Sequence, residues 1–241
     1  MIIDENTVFS VIDTETTGLD PVKDRVIEVA YVECTMFGIG NHASALFDPK
    51  IPIPPAASAV HHLTDDDVRG MPEYGVGGFG RIIKTSTDAA VMVAHNAAFD
   101  GPFLQLTEPM ICTMRLAQKL WHDLECGYGN QVLRYHFKLK PPVEPGAAMH
   151  RALPDALVTA TLLIHELNEL FSRSKDPASI TVEGLISWIA EPMLLTTCRF
   201  GKHKGSNWSE IPRDYLQWIV RNMADADVDT LHTAKYYIEN R

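Results

Sequence analysis

The sequence predicts an α/β fold: a mixed sheet flanked by helices, followed by a small C-terminal α+β module. Three observations carry this. Val8 to Leu19 is a short apolar run that ends on two carboxylates, Asp13 and Glu15, and a breaker, Gly18. Strand-like segments follow one another at the start of the chain, which favours antiparallel pairing, and later ones alternate with helices. Ala156, Ala160, Leu163, Ile164, Leu167 and Leu170 keep one apolar stripe at helical spacing, the clearest helix in the chain.

Taken in order, Val8, Phe9, Val11 and Ile12 supply the apolar side chains of the first strand. Asp20 to Asp24 is turn material. Val26 to Phe37 is long and β-branched, a central strand, with Ala43 to Phe47 as its partner. Ile51 to Pro55 is too rich in proline for a ladder. Thr64 can cap a helix whose first turn is Asp65-Asp66-Asp67, acids well placed at a helix start. Gly75 to Gly80 is glycine-rich but follows no strand, so it is not read as a phosphate loop. Arg81 to Lys84 is assigned to a helix and Ala89 to Ala94 to a second short apolar strand. Asn96 is a candidate N-cap, placing Asp100 in the first turns of a helix. Thr113 to Trp121 and Gln131 to Phe137 are further helices, and Pro141 to Gly146 a loop. Pro154 fits a first helical turn, so a helix starts near His150 to Asp155.

Ser172 to Ser179 is polar and contains Pro177, a boundary that divides the chain into residues 1–172 and 177–241. In the second part, Thr181 to Ile189 is a helix and Thr196 to Phe200 a strand. Gly201 to Gly205 is a basic turn. Pro212 opens a helix with Tyr215, Trp218 and Ile219 inward, and Val228, Leu231 and Ile238 stripe the last one. Trp121 and Trp188 are read as core residues with Trp218. The turn Arg199 to Lys204, with Trp208 nearby, reads equally as a grip for a phosphate backbone and as a solvated hairpin tip.

Composition narrows the function. The chain has 241 residues, 46% of them hydrophobic and 22% charged, the profile of an ordinary globular protein able to bury a full core. A formal charge of −10 argues against a protein that coats nucleic acid through many phosphate contacts. It argues less against an enzyme whose acidic site is offset by bound divalent ions. Cys34, Cys112, Cys126 and Cys198 have no paired spacing, so neither a zinc site nor a disulfide framework is expected. They suit buried thiols in a reducing compartment. With no basic-then-apolar leader and no apolar run of membrane length, a cytoplasmic location without membrane contact is expected.

The chemistry gathers on Asp13, Glu15, Asp100, Asp155 and His150. Side chains two apart on a strand share a face, so Asp13 and Glu15 emerge side by side. Adjacent carboxylates repel, which raises a pKa and costs stability unless a hard cation joins them. Solvated surface acids are the alternative. Asp155 at a helix start is expected to be held ionised by the helix dipole, and Asp100 less so. On one helix His150 and Asp155 would stand about 140° apart. A His150 in the preceding loop can instead reach over a site into which Asp155 points.

Asp13-Thr14-Glu15-Thr16-Thr17-Gly18, then His95 to Asp100, then His150 with Asp155 together resemble the three motifs of the DEDDh 3′–5′ exonuclease superfamily. The order and intervals fit across residues 8 to about 165. Ile111 to Ala117, His150 to Leu153, Thr197 to Gly205 and Tyr215 to Trp218 extend the similarity toward one bacterial member over nearly the whole chain. The resemblance implies a ribonuclease-H-like fold and hydrolysis of phosphodiesters at nucleic-acid 3′ ends, DNA before RNA. The products are nucleoside 5′-monophosphates, and repair or end processing is the implied setting. It also implies two divalent ions, Mg²⁺ or Mn²⁺, as suits an all-carboxylate site. Asp13 would bridge both, Glu15 and Asp155 would complete one, and Asp100 would support the other. His150 would be the general base, since an imidazole titrates near 6.5. By the same resemblance Thr16, Leu19, Val60, His61 and Phe99 would hold the terminal nucleotide, and stacking there tolerates any base. Two rival readings stand beside this one: the same chemistry on RNA, where a 2′-hydroxyl contact would decide, and a catalytically silent nucleic-acid-binding protein. The latter leaves costly buried acids without a task.

Overall fold

A computed structural model describes residues 1–75, 90–144 and 150–240. The glycine-rich stretch after Gly75, the helix assigned at Arg81 to Lys84, the first residue of the strand expected from Ala89, and the end of the Pro141 to Gly146 loop lie outside the described residues.

Three strands open the chain: β1 (Phe9–Thr16), β2 (Val26–Thr35) and β3 (Gly38–Leu46). Two short strands, β4 (Val91–Ala94) and β5 (Ile111–Cys112), complete a five-stranded sheet in the order β3-β2-β1-β4-β5. The first three pair antiparallel, whereas β4 and β5 run parallel to β1. The mixed sheet expected from the strand order is therefore present. β1 is central, and its alternation sets two faces. Phe9 and Val11 lie with Val32, Val93 and Ile111 in the larger core, while Ile12 lies with Val29, Met92 and Phe103 in a second one.

Helices cover both faces. Short helices α1 (Pro55–His61) and α2 (Asp65–Val68) follow β3, and α3 (Ala97–Phe103) follows β4. Next come α4 (Thr113–Leu120), α5 (Asn130–His136) and the 22-residue α6 (Ala152–Arg173). α6 crosses β1, β2 and β3, burying Ala156, Ala160, Leu163 and Leu167, the stripe read from the sequence. Three features depart from expectation. Helix α1 was not foreseen; Pro55 at its first turn supplies the preset φ that starts it. Asn96 precedes α3 in a left-handed conformation (φ 66°, ψ 52°) and its side chain caps nothing, so asparagine serves the backbone bend there. Cys126 is exposed, unlike buried Cys34 and Cys198, and all four cysteines are free.

The C-terminal segment begins with α7 (Val182–Ala190), whose Val182, Leu185 and Ile189 pack into the main core. A smaller core follows, built from Cys198, Trp208, Ile211, Leu216, Ile219 and Ala234, between α8 (Arg213–Asn222) and α9 (Val228–Glu239). Thr196 to Phe200 is not a strand. It forms one isolated bridge, Thr197 to Asn207, because the turn after it closes at once through Gly205 N–H to the Cys198 carbonyl at 2.8 Å. Trp218 is 48% exposed and not core, while Trp208 is fully buried and cannot grip a phosphate. Val228 is also exposed. α9 instead buries Asp229, Thr230, Thr233 and Ala234, a polar face satisfied by its neighbours. Met193 N–H donates to Asp229 at 2.8 Å and Leu195 N–H to Thr233 at 2.9 Å. The Arg115 guanidinium of α4 donates to both Asp229 oxygens, which ties α9 to the larger part of the molecule. Among the described residues no helix is long and apolar enough to cross a membrane.

Candidate active site

The sheet topology opens a gap at one point. β4 pairs with β1 only from Phe9 to Ile12, ending at Ala94. From Asp13 onward, among the described residues, β1 pairs with β2 alone, with Asp13 opposite Ala30 and Glu15 opposite Glu28. Crevices at such carboxyl ends of strands are where α/β sheets place ligands. Asp13 and Glu15 point to the face covered by α6, and Asp155 arrives from the first turn of that helix. Oxygens of Asp13, Glu15 and Asp155 lie within 4.8 Å of one another. Thr14 points the other way and donates its hydroxyl to Asp100 of α3 at 2.7 Å. Asp100, 3% exposed, still faces Asp13 closely enough to raise its pKa.

Electrostatics follow from this crowding. Burial lifts the Asp13 carboxyl well above the usual carboxylate range, and Asp100, Glu15, Asp155 and Glu28 push it the same way. Burial, with Asp155 and Glu28, pushes Glu15 up to about 8, against an opposing pull from Arg151. Asp100 rises to about 7 through burial, although the Thr14 hydrogen bond pulls it down. Asp155 also rises through burial, opposed by a 2.6 Å hydrogen bond from Gln131 of α5 and by the nearby His150. Asp155 is only 8% exposed, so burial works against the ionised form that its helix-start position favours. The set is short of positive charge, and its hard oxygen donors fit divalent cations better than any soft metal.

His150 stands in the loop before α6 with φ 58°, exposed, its Nδ1 4.0 Å from an Asp155 oxygen. That separation is too long for a hydrogen bond, so the imidazole faces the site without being tied to it. Of the other residues singled out, Thr16 is buried and donates its hydroxyl to the Gly18 carbonyl at 2.6 Å. His61 is buried; its Nδ1 accepts from Leu63 N–H at 3.0 Å, and Glu28, Arg151 and the Thr16 backbone lie beside its ring. Phe99 is half-buried against Phe103, ring centroids 5.0 Å apart. Leu19 and Val60 are left largely exposed, at 84% and 51%.

Sequence reasoning missed the supports. Glu28 is 3% exposed and takes Arg151 at 2.8 and 3.0 Å and the Ala152 N–H at 3.1 Å. It thereby caps α6 from the sheet and holds the chain on either side of Arg151, with His150 before it and Asp155 four residues after. A signal existed: Glu28 is the one acid in the apolar run Val26 to Val32, and such a charge needs a partner. Gln131 and Asn130 were also missed; Asn130 donates to the Asp155 carbonyl at 3.1 Å. His95 bonds Thr113 and the Tyr128 carbonyl, both at 2.8 Å, locking β4 to α4 and the loop before α5. Burial lowers its pKa to about 4, so it is a neutral brace.

Comparison with known proteins shows the family. The exonuclease family profile, RNase_T, matches residues 10–163. Exodeoxyribonuclease 10 of Escherichia coli (strain K12) is 35% identical over 234 residues, 95% of this chain and 98% of its own. The DNA polymerase III subunit epsilon of Treponema pallidum (strain Nichols) is 33% identical over 204 residues, 78% of this chain and 91% of its own. The solved structure of exonuclease X in complex with 5′-overhanging duplex DNA superposes with a TM-score of 0.62 at 33% identity, over 76% of this chain and 99% of that one. The nuclease domain of 3′hExo, a DEDDh family member bound to rAMP, shares the fold at a TM-score of 0.53 and 13% identity, over 67% of this chain and 92% of that one. With one profile spanning residues 10–163 and one relative at 35% identity matched over 95% of this chain and 98% of its own length, the chain belongs to the exonuclease family.

Proposed function

We propose that this protein is a metal-dependent 3′–5′ exonuclease that releases nucleoside 5′-monophosphates from DNA ends, in repair or end processing. The observation that carries the reading is the convergence of Asp13, Glu15 and Asp155 within 4.8 Å at the open end of β1. Exodeoxyribonuclease 10 and the DNA-bound exonuclease X structure support DNA over RNA.

Asp13, Glu15 and Asp155, with Asp100 beside Asp13, are the residues that would hold two divalent ions, Mg²⁺ or Mn²⁺. When bound, such ions neutralise phosphate charge and activate water for in-line displacement. The chain's own residues do the rest. Gln131 and the Glu28–Arg151 pair orient Asp155 and the start of α6. His150, exposed at the mouth, takes the proton from the attacking water at a free imidazole nitrogen and returns it to solvent. Thr16, Leu19, Val60, His61 and Phe99 are proposed to line the terminal-nucleotide site. Exposed Leu19 and Val60 offer apolar surface for a base, whereas buried His61 shapes the wall from behind. Residues 177–241 are proposed as the C-terminal module; Cys198, Trp208, Leu216 and Ala234 give it a separate core, while Val182, Leu185 and Ile189 join it to the main one. The four free thiols support a reducing, cytoplasmic location.

The test is a 5′-labelled DNA oligonucleotide incubated with the protein, with Mg²⁺ or with EDTA, beside matched RNA. Stepwise shortening from the 3′ end only with metal, faster on DNA, is expected. Preferred shortening of RNA would reassign the substrate, and retention on a filter without shortening would make the chain a binder.

A further inference from the structure

One surface outside the acidic site has the chemistry of a strand-binding platform. Tyr215 and Trp218 of α8 are stacked, ring centroids 5.6 Å apart and planes 16° from parallel. Trp218 keeps 48% of its surface in solvent although the core of the same module lies beneath it. Lys202 sits with its Nζ 4.9 Å from the Tyr215 ring centroid, and the His203 ring meets Tyr215 edge-on at 4.6 Å. Lys202, Asp214, Tyr215 and Trp218 line a shallow cleft of about 390 Å³. That is within the range of sites that take a small ligand.

The cleft is held in shape. Gly201 adopts φ 61° against the Tyr215 hydroxyl, where a side chain would both clash and strain the backbone. The turn closes through Cys198 N–H to the Ser206 carbonyl at 2.9 Å and Gly205 N–H to the Cys198 carbonyl at 2.8 Å, and Cys198 is fully buried. Arg199 to Lys204 carries Arg199, Lys202, Lys204 and His203 and no acid, in a chain whose net charge is −10. Among the described residues Arg199, Lys202 and Lys204 form no ion pair.

The turn is also joined to the acidic site. The Arg199 guanidinium lies 5.8 Å from the centre of the Tyr128 ring. From Tyr128 the chain runs directly to Asn130 and Gln131, which bond Asp155.

We infer that the Tyr215–Trp218 stack and the Arg199–Lys204 turn form a second nucleic-acid contact, which takes an unpaired stretch of strand outside the acidic site. Exposed stacked rings beside cations are how proteins hold single strands without regard to sequence. A base lies on Trp218, and its neighbouring phosphates meet Lys202 and Lys204. Asp214 repels phosphate and so directs the backbone to the lysine side of the cleft. The inference rests on the nuclease reading above, since the strand held is that reading's substrate.

The experiment measures binding of a labelled single-stranded DNA oligonucleotide to the full chain in EDTA, where the acidic site contributes repulsion. Trp218→Ala is expected to weaken binding about 5- to 150-fold, the worth of one stacked base. Trp218→Phe should restore most of it, and Tyr236→Ala, another exposed aromatic on α9, should not change it. Lys202→Ala with Lys204→Ala should lower the salt slope of log Kd by about 1.4. Binding should also quench tryptophan emission in the wild type and not in Trp218→Phe. Wild-type affinity in Trp218→Ala, or no measurable binding by the wild type, overturns the platform. Quenching by polyglutamate and not by DNA overturns it in favour of an acidic protein partner. The metal-dependent shortening assay separates the two failures: a protein that shortens DNA but ignores Trp218→Ala loses the platform only, whereas one that never shortens DNA loses the nuclease reading itself.

Discussion

Without metal, the protein should lose stability as pH rises from 5 to 8. Glu15 sits at about 8 in the folded chain against an ordinary value of 4.5. A carboxyl whose folded pKa lies above its unfolded one holds its proton more tightly in the native state. Below the unfolded value both states are protonated and the site costs nothing. Between the two values the unfolded chain has released its proton and the folded chain has not, so unfolding becomes easier with every step in pH. Asp13 and Asp100 are raised as well and act in the same direction. The Glu15 gap alone corresponds to about 5 kcal/mol at 1.36 kcal/mol per pH unit. Glu15 is partly open to water, and screening there brings the loss to roughly 1–3 kcal/mol. For a chain of this size that is about 2–6 °C in Tm. The assay is thermal unfolding by circular dichroism across that pH range in EDTA, repeated with Mg²⁺. Metal at about 100 times its Kd adds ~2.7 kcal/mol by mass action and should flatten the profile. Asp13→Asn should be more stable than the wild type in EDTA at pH 8 and should gain little from Mg²⁺. A Tm in EDTA that is level or rises from pH 5 to 8 would refute the argument, as would an Asp13→Asn protein with the wild-type profile.

Asp13→Ala should abolish shortening of DNA while the circular dichroism spectrum stays native; a lost fold would show that Asp13 serves structure first. His150→Ala should lower kcat about 10²–10⁴-fold with KM little changed. Wild-type kcat in His150→Ala would rule out the base role. Glu28→Ala strands Arg151 beside the site. It should cost roughly 2–4 kcal/mol, below the top of the range for buried pairs because Arg151 keeps 32% of its side chain exposed. Urea unfolding measures that cost, and a midpoint within error of the wild type would show the pair to be neutral. Gln131→Leu removes the hydrogen bond that pulls the Asp155 pKa down, so the variant should need more Mg²⁺ for half-maximal rate; an identical metal titration would count against it.

Local patterning determined much of this molecule. The apolar run from Val8 and the helical stripe from Ala156 to Leu170 are written in nearest-neighbour spacing, and both elements occur as read. The family resemblance was legible for the same reason, because the acids lie in short motifs whose order survives in one dimension. What tertiary structure decided is how charge and exposure are distributed. Glu28 pairs with a residue more than a hundred positions away, and nothing local to Arg151 announces it. Burial of Asp155 in the first turn of α6 raises its pKa against the pull of its helix position, because desolvation depends on the whole surroundings and not on the turn alone. Trp208 and Trp218 exchanged places between core and surface, since period alone places a side chain on a helix or turn but cannot say which face the rest of the chain will cover. The gap that admits a site beside Asp13 arises only because β4 ends opposite Ile12, a fact of strand pairing that spacing along the chain does not contain.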